Sequence, residues 1–520
     1  LQTIYTNGVK YVTIVYGKVN MSGGSKMNKL EVFNLLKDTS HLGGGENQVQ
    51  MQHNLNKLTA RERVLALLDE GTFIEVGSLV SGNGAGVITG HGTINGRLAF
   101  IYSCDYTVEG GTFTKAMGRK IINILERAAK IGAPVVQVID SIGGKLSEGT
   151  ELLSSYGLVL NKYAKLSGVV PRISVICGPC NGITSLLGTM SDVVVAVDEI
   201  SDLSVSSLGK LTAKESKYVD KAMVSNGVSA NKNGNAHINA TTEEEAFQVV
   251  RNLISYMPSN NLELSTISDE DLNLNVSKLN LDEMVEKDSH SLDDILNAIT
   301  DENSNIEIYK RFATNFKTVL GKINGLTVGI ISNSGNKNID NLGANKVASF
   351  VRLCDSFNIS ILSLVDTKGA SVSLEEENDG LAKNIGKLMY SLIDATVPKV
   401  SLIIGEAYGL GYEVLASKES SFDVTMAWPT AKVCLTNPEE YIKGLYRDEI
   451  FNSEDHRQGE KEVIAKYYDE VTNLYNLANI GMIDDVIKPS ESKQRIFAML
   501  DMLQSKREVK YPKTHGSTLV

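Results

Sequence analysis

Four short stretches hold the residues best placed to do chemistry in this chain of 520. Asp140-Ser141-Ile142-Gly143-Gly144 and Cys177-Gly178-Pro179-Cys180-Asn181-Gly182-Ile183-Thr184 lie in the first half, each at the end of an apolar β-type run. Asp366-Thr367-Lys368-Gly369 and Tyr408-Gly409-Leu410-Gly411 lie in the second half. Glycine at a strand-to-helix turn lets main-chain N–H groups approach a ligand closely. Two such turns on neighbouring strands can aim two donors at one oxygen, which is what an enolate or oxyanion needs. One donor of this kind is worth about 3 kcal/mol in a transition state.

Other chemistries find less support. Cys177-Gly178-Pro179-Cys180 has thioredoxin-type spacing, but the matching stretch Gly405 to Gly409 lacks both thiols, and a reactive thiol needs a helix N-terminus and access. Five cysteines are no disulfide framework. None of the seven histidines forms a zinc pair, so no metal site is expected. No Ser/His/Asp set carries a supporting local motif. Lys418, Lys443 and Arg447 follow the last turn and have the charge to hold phosphates, although a solvated face explains each one individually. A net charge of −11 without a basic run argues against nucleic acid. With no 18-residue apolar run and no typical signal peptide, the chain reads as cytoplasmic.

The elements that must position these turns alternate along the chain. Residues 30–68 are helical in character, broken at 41–45, and Thr59-Ala60-Arg61-Glu62 is a capping box. Strands are expected over 98–103, 135–139, 173–177 and 193–197, with an amphipathic helix over 115–130, the βαβ rhythm of an α/β core. The order then recurs at an offset of 226 to 229 residues. Ile94-Asn95-Gly96 is echoed by Ile323-Asn324-Gly325, Asp140-Ser141 by Asp366-Thr367, Val170-Pro171-Arg172 by Val397-Pro398-Lys399, and Gly182 by Gly409. Four pairs in order argue for a duplicated domain. Residues 1–26, with a hairpin signal about Asn7-Gly8, read as an appended segment before Met27. The expected division is a domain over 27–258, a polar surface linker over 259–290 and a domain over 291–520.

Longer ordered stretches then carry a resemblance. They include Gly43-Gly44-Gly45-Glu46, Lys57-Leu58-Thr59-Ala60-Arg61-Glu62-Arg63, Asp105-Tyr106-Thr107-Val108-Glu109-Gly110-Gly111, Tyr256-Met257-Pro258-Ser259-Asn260-Asn261, Phe350-Val351-Arg352-Leu353-Cys354-Asp355, Ala395-Thr396-Val397-Pro398-Lys399 and Ala427-Trp428-Pro429-Thr430-Ala431. In these, from residue 30 to about 517, the chain resembles the biotin-dependent acyl-CoA carboxyltransferases: propionyl-CoA and acetyl-CoA carboxylase β subunits, transcarboxylase, and the α subunits of sodium-pumping decarboxylases such as methylmalonyl-CoA decarboxylase.

The resemblance implies tandem crotonase-like (ββα-spiral) domains, the first on the acyl-CoA side and the second on the biotin side. It implies a hexamer whose sites are shared between two chains. A first oxyanion pair, Gly182-Ile183, would stabilise the thioester enolate, and a second, Leu410-Gly411, the urea oxygen of biotin. Ser141, Gly143, Gly144, Thr184 and Tyr408 would line the substrates, and Glu413 would help select the acyl group. Biotin would arrive on a separate carrier protein, since the biotinylation tetrapeptide Ala-Met-Lys-Met does not occur in this chain. The implied partners are a biotin carboxyl carrier protein with either a biotin carboxylase or the membrane subunits of a decarboxylase. Departures from the family pattern are Ile142 and Lys145 in the first loop, Ile183 and Leu410 in its Gly-Gly turns, Lys368 for proline, Met117 for histidine and Glu413 for aspartate. Carboxyl transfer to a short acyl-CoA is the function expected first, a sodium-pumping decarboxylase α subunit the second, and a non-catalytic acyl-CoA-binding or assembly subunit the third.

Overall fold

A computed structural model describes residues 2–6, 10–15, 18–21, 28–82, 84–264, 280–287, 291–333, 337–470, 474–513 and 516–517. The chain divides into two compact units, Leu1–Ser255 with Ser259–Asn261 and Tyr256–Pro258 with Leu262–Val520. The N-terminal strands β1 (Gln2–Thr6), β2 (Lys10–Val15) and β3 (Lys18–Met21) form their own antiparallel sheet. The expected Asn7-Gly8 turn between the first two lies outside the described residues.

The first unit is built on β4 (Ile74–Glu75), β5 (Val87–Ile94), β6 (Arg97–Cys104), β7 (Val135–Ser141), β8 (Arg172–Asn181), β9 (Val193–Val197), β10 (Asp202–Ser204) and β11 (Ile238–Ala240). Their order is β11-β9-β8-β7-β6-β5-β4, with β10 also on β8; β4, β5 and β6 are antiparallel and the rest parallel. The second unit repeats the plan with β12 (Ile306–Ile308), β13 (Phe316–Ile323), β14 (Leu326–Asn333), β15 (Ser360–Thr367), β16 (Lys399–Tyr408), β17 (Val424–Ala427), β18 (Lys432–Cys434) and β19 (Asp485–Val486). Its order is β12-β13-β14-β15-β16-β17-β19, with β18 on β16. Helices cover the parallel strands, whose residues are buried nearly throughout. The helix Lys115–Ile131 shows why: Met117, Ile121, Ile124, Leu125 and Ala128 fall on one face and are buried, Thr114 caps its start, and Gly132 closes it in the left-handed region.

The duplication extends to single contacts. Asn95-Gly96 and Asn324-Gly325 turn the β5–β6 and β13–β14 hairpins with both residues at positive φ, the conformation for which Asn-Gly is favoured. Asp69 accepts the N–H groups of Asn95 (3.1 Å) and Gly96 (2.8 Å) and pairs with Arg251 at 2.7 Å. Asp301 accepts those of Asn324 (3.0 Å) and Gly325 (2.8 Å) and pairs with Lys493 at 2.8 Å. Buried Lys120 donates to the carbonyls of Gly84 and Val87, and buried Lys346 to those of Tyr309, Phe312 and Phe316. Each holds a loop in which non-glycine residues take positive φ, Ser81 and Ala85 in the first and Tyr309 and Ala313 in the second. Burial pulls both ammonium groups down to about 8.

One irregularity positions the chemistry. Ile139 pairs with Ile176 but Ser141 pairs with Cys180, and likewise Val365 pairs with Ile403 but Thr367 with Ala407. The extra residues of β8 and β16 make a bulge into which the aspartate of the neighbouring strand turns. A Cβ on Gly178 would lie 1.9 Å from Asp140 Oδ1, and one on Gly405 2.2 Å from Asp366 Oδ1, so only glycine fits either place. Asp140 is fully buried and takes hydrogen bonds from Lys57 Nζ (2.7 Å), Arg63 Nη1 (2.8 Å) and Gln52 Nε2 (3.0 Å). Arg63, equally buried, also binds Glu243 and the Cys177 carbonyl. Lys57, Thr59 and Arg63 come from the capping-box segment. There Thr59 accepts from the Glu62 N–H and Glu62 returns a bond to the Thr59 N–H at 2.7 Å, opening the helix Ala60–Leu67.

Within the stretch read as a linker, residues 280–287 contain a helix, Leu281–Glu286, started by the Asn280 side chain. Its Leu281 and Val285 are buried and Val285 joins the second unit's core, a use of two apolar residues that the polar composition around them concealed. Residues 265–279 and 288–290 lie outside the described residues.

Two measurements check this architecture. Arg63→Met leaves Asp140 and Glu243 buried without their shared cation, and is expected to cost about 3–5 kcal/mol. The surface control Arg61→Met, which loses only the pair with Glu75, should cost under about 1 kcal/mol. Equal denaturation midpoints for the two variants would remove the network from its structural role. Deleting residues 1–26 should leave assembly and melting temperature unchanged, because their strands share no ladder with either large sheet.

Candidate active site

Each bulge delivers its strand into a glycine that only glycine can be. Gly182 has φ 59° and ψ −131°, and Gly409 has φ 48° and ψ −115°. Both start a helix, Ile183–Thr189 in the first unit and Leu410–Leu415 in the second. The sequence equivalence of the two glycines is therefore a structural one.

The donors are not distributed as the sequence suggested. The Gly182 N–H donates to the Val205 carbonyl at 3.0 Å, and the Gly409 N–H to the Cys434 carbonyl at 2.9 Å. The cause is the extra strand on each long one: β10 pairs with β8, β18 pairs with β16, and the turn glycine extends that ladder by one bond. Gly182 is thus not a donor to a ligand. The N–H groups that a helix start leaves without an intrahelical acceptor belong to Ile183 and Thr184. In the second unit they belong to Leu410 and Gly411, as expected, and the two pairs now stand in the same register. Thr184, read as lining the substrate, has its hydroxyl buried on the Tyr156 hydroxyl at 3.1 Å.

The loops after β7 and β15 are also built alike. Gly143 (φ 111°) and Gly369 (φ 110°) donate to the Ser141 and Thr367 hydroxyls, both at 3.2 Å. Their carbonyls accept from Phe113 (2.8 Å) and Ile339 (2.9 Å). Ser141 is buried and folds its own loop in this way. A Cβ on Gly411 would meet Thr367 Cγ2 at 2.5 Å and Gly369 Cα at 3.5 Å, so the second loop lies against the start of its helix.

In the first unit these pieces surround a cavity of about 560 Å3. Ile142, Gly143, Gly144, Tyr156, Gly182 and Ile183 line it, together with the apolar Leu146, Leu152, Leu153 and Val205 and the cations Lys145 and Lys210. Lys145 is paired with Glu109 at 2.6 Å. Met117 is buried in the core.

The second unit's turn has a different surround. Tyr408 is buried, donates to Glu406 Oε1 at 2.8 Å and meets the Tyr468 hydroxyl at 3.2 Å. Burial first, then Tyr468 and Glu406, push its phenol far above the ordinary range, so it stays a donor. Glu413 points outward and is exposed, while Leu410 is half exposed. Lys418 is held by Asp484 at 2.6 Å; the Lys443 side chain lies outside the described residues.

Cys177 and Cys180 are buried and free, and both lie within β8 rather than at a helix start. Burial pushes both thiols up, which suits packing and not redox exchange. The residues missed from sequence are the supports: Gln52, Lys57, Arg63 and Glu243 around Asp140, and Glu406 with Tyr468 beside Tyr408. Charges interrupting the otherwise apolar helix Ala60–Leu67 were the available signal for the first group. For Glu406 it was a carboxylate at the end of an apolar strand.

Comparison with known proteins agrees with this architecture. The family model described as the carboxyl transferase domain matches residues 51–518. The chain is 35% identical over 506 residues to the carboxyltransferase subunit of propionyl-CoA carboxylase from Haloferax mediterranei, covering 91% of this chain and 96% of that one. It is 33% identical to methylmalonyl-CoA decarboxylase subunit alpha from Propionigenium modestum, covering 94% and 98%. Crystal structures of transcarboxylase 12S, described as a hexamer with methylmalonyl-coenzyme A bound, match with a TM-score of 0.89 at 30% identity, covering 96% of this chain and 99% of that one. With two crotonase-like units, a doubled donor turn and these relatives across nearly its whole length, the chain belongs to the carboxyl transferase domain family.

Proposed function

We propose that this enzyme moves a carboxyl group between biotin on a separate carrier protein and a short acyl-CoA, through an enolate held by main-chain N–H groups. The observation that carries the reading is the pair of donor turns in identical register, Ile183-Thr184 after Gly182 and Leu410-Gly411 after Gly409. Carboxyl transfer has two oxygens on which charge grows, one on the thioester and one on the cyclic urea, and two donor pairs answer that need. No side-chain nucleophile is required.

The first unit, which holds nearly all of the domain expected over 27–258, takes the acyl-CoA. Its cavity has mostly apolar walls, with Lys145 and Lys210 to face anionic groups. The Ile183 and Thr184 N–H groups hold the thioester oxygen while it carries the enolate charge. Gly143 and Gly144 line the floor, and Ser141 positions that loop. The second unit, which holds the domain expected over 291–520, takes biotin. Biotin supplies the carboxyl group on a ring nitrogen of a cyclic urea. The donor set fits that ring: the Leu410 and Gly411 N–H groups would hold its oxygen, and Tyr408 stiffens the strand behind them. Ile183 and Leu410 carry bulk, but donation comes from the main chain and survives any residue except proline. A homo-oligomer, a hexamer by analogy with transcarboxylase 12S, would bring the first unit of one copy to the second unit of its partner. The likeness to methylmalonyl-CoA decarboxylase subunit alpha supports the same chemistry run in the opposite direction, with membrane subunits as partners.

Proline at the first helical position removes an N–H without disturbing the helix. Ile183→Pro should therefore abolish isotope exchange into acyl-CoA, and Leu410→Pro should abolish exchange with free biotin. Leu410 is the better target than Gly411, where any Cβ would strike Thr367. Mixed and reassembled, the two inactive variants should regain about a quarter of wild-type sites by random pairing. A mixture that assembles but stays inactive would place both halves of a site in one chain.

Glu413→Asp should shift kcat/KM among acetyl-, propionyl- and butyryl-CoA towards the longer chains by about tenfold, the worth of roughly one methylene. An unchanged ranking would free Glu413 of any part in acyl selection.

A further inference from the structure

Beside the second donor turn, one carboxylate oxygen is left over. Glu406 lies on β16 three residues before Gly409. Its Oε1 accepts the Tyr408 hydroxyl at 2.8 Å, and its N–H donates to Asp366 at 2.9 Å. Its Oε2 is buried and accepts no hydrogen bond among the described residues. The nearest cation, Lys368 Nζ, stands 3.9 Å away, too far for a hydrogen bond. Lys368 belongs to the loop Thr367–Gly369 that lies against Gly411, so the spare oxygen faces the same loop as the donor turn. A buried acceptor left unused costs about 1–3 kcal/mol, and such groups in folded proteins call for a partner.

The first unit also holds a spare carboxylate oxygen, Asp202 Oδ1, but on β10 and not on the long strand that runs into the turn. The position matching Glu406 is Pro179, and the one matching Tyr408 is Asn181. Asn181 is spent on the Asp202 carbonyl at 3.2 Å and the Ser204 hydroxyl at 2.9 Å. The unit read as taking a thioester, which brings an oxygen and no N–H to its donors, has no carboxylate at that place on its long strand. The unit read as taking a cyclic urea has one.

A cyclic urea presents one strong acceptor, its oxygen, and a ring N–H on the nitrogen that is not carboxylated. Resting on the biotin-side reading of the second unit, we propose that Glu406 Oε2 accepts this N–H, making Glu406 a biotin-binding and specificity residue of this enzyme. Tyr408, with Tyr468 behind it, is its positioning residue, because the Tyr408 hydroxyl occupies Oε1 and leaves Oε2 as the acceptor. Lys368 Nζ, at 3.9 Å, leaves that oxygen without a hydrogen bond.

The test is calorimetric titration of the full-length assembled protein with free biotin and with biotin methylated on the non-carboxylated ring nitrogen. Wild type should bind biotin about 10- to 100-fold more tightly than the methylated compound, the range for a hydrogen bond to a charged group. Glu406→Met should bind both weakly and about equally. Glu406→Gln, whose amide oxygen still accepts, should restore part of the difference. Acyl-CoA affinity should be the same in all three. Wild-type discrimination retained in Glu406→Met would overturn the assignment, as would a wild type that binds both compounds alike because Lys368 closes on the oxygen. Leu410→Pro separates the two levels: it should weaken both compounds by a common factor. Biotin affinity untouched by Leu410→Pro, or no biotin binding by wild type, would overturn the biotin-side reading and Glu406's role with it.

Discussion

An aspartate inside a β-bulge, fully buried in the first unit, is the constraint on which each half of this protein depends. A carboxylate removed from water must be fully hydrogen-bonded or paired. In the first unit Asp140 meets that demand with Lys57, Arg63 and Gln52, drawn from a segment more than seventy residues earlier. Satisfying it pins the end of β7 to β8, sets the loop that follows, and so fixes where the donor turn opens. In the second unit Asp366 occupies the same bulge but accepts the main-chain N–H of Glu406. The first unit has proline at the matching position and cannot offer that N–H. One geometry is therefore held in two ways. The first unit needs its buried arginine, whose own charge is balanced by Glu243.

The two turns are alike in the main chain and unlike in everything around it. The first opens on a cavity with apolar walls. The second is backed by tyrosines, a glutamate and a lysine. Duplication thus supplied the same pair of main-chain N–H groups twice, with different side chains around each. The register of the donors follows from sheet pairing, because β10 and β18 each consume the N–H of the turn glycine and hand the role to the next two residues.

Much of this was legible in the residues themselves. Strands 193–197 and 98–103 and the helix over 115–130 stood out through apolar runs or 3.6-residue periodicity, and the structure moves their ends by no more than one residue. The repeat was visible because Asn-Gly hairpins and glycine turns tolerate few substitutes. The two glycine turns were legible as turns, but that the Gly182 N–H is taken up by the Val205 carbonyl rests on a ladder bond that spacing cannot reveal. The supports of Asp140 were hidden for a similar reason, since the Lys57–Asp140 contact spans 83 positions of sequence. Lys120 and Lys346 read as ordinary helix lysines, and only the folded loops show them buried on carbonyl oxygens. The helix Leu281–Glu286 was masked by the polar residues around it.

The left-handed glycine at each turn has a consequence for how such a protein can change over generations. Its conformation excludes every side chain, whereas the donors next to it are peptide groups common to all residues except proline. Selection can therefore hold one atom-poor position still while neighbouring side chains drift without silencing the reaction. Isoleucine and leucine now stand where smaller residues would serve equally well as donors. Under the proposed reaction, diversification of substrates is cheap: the donor groups are inherited with the backbone, and a lineage can explore new acyl chains by ordinary substitutions around a centre that cannot be mutated away one side chain at a time.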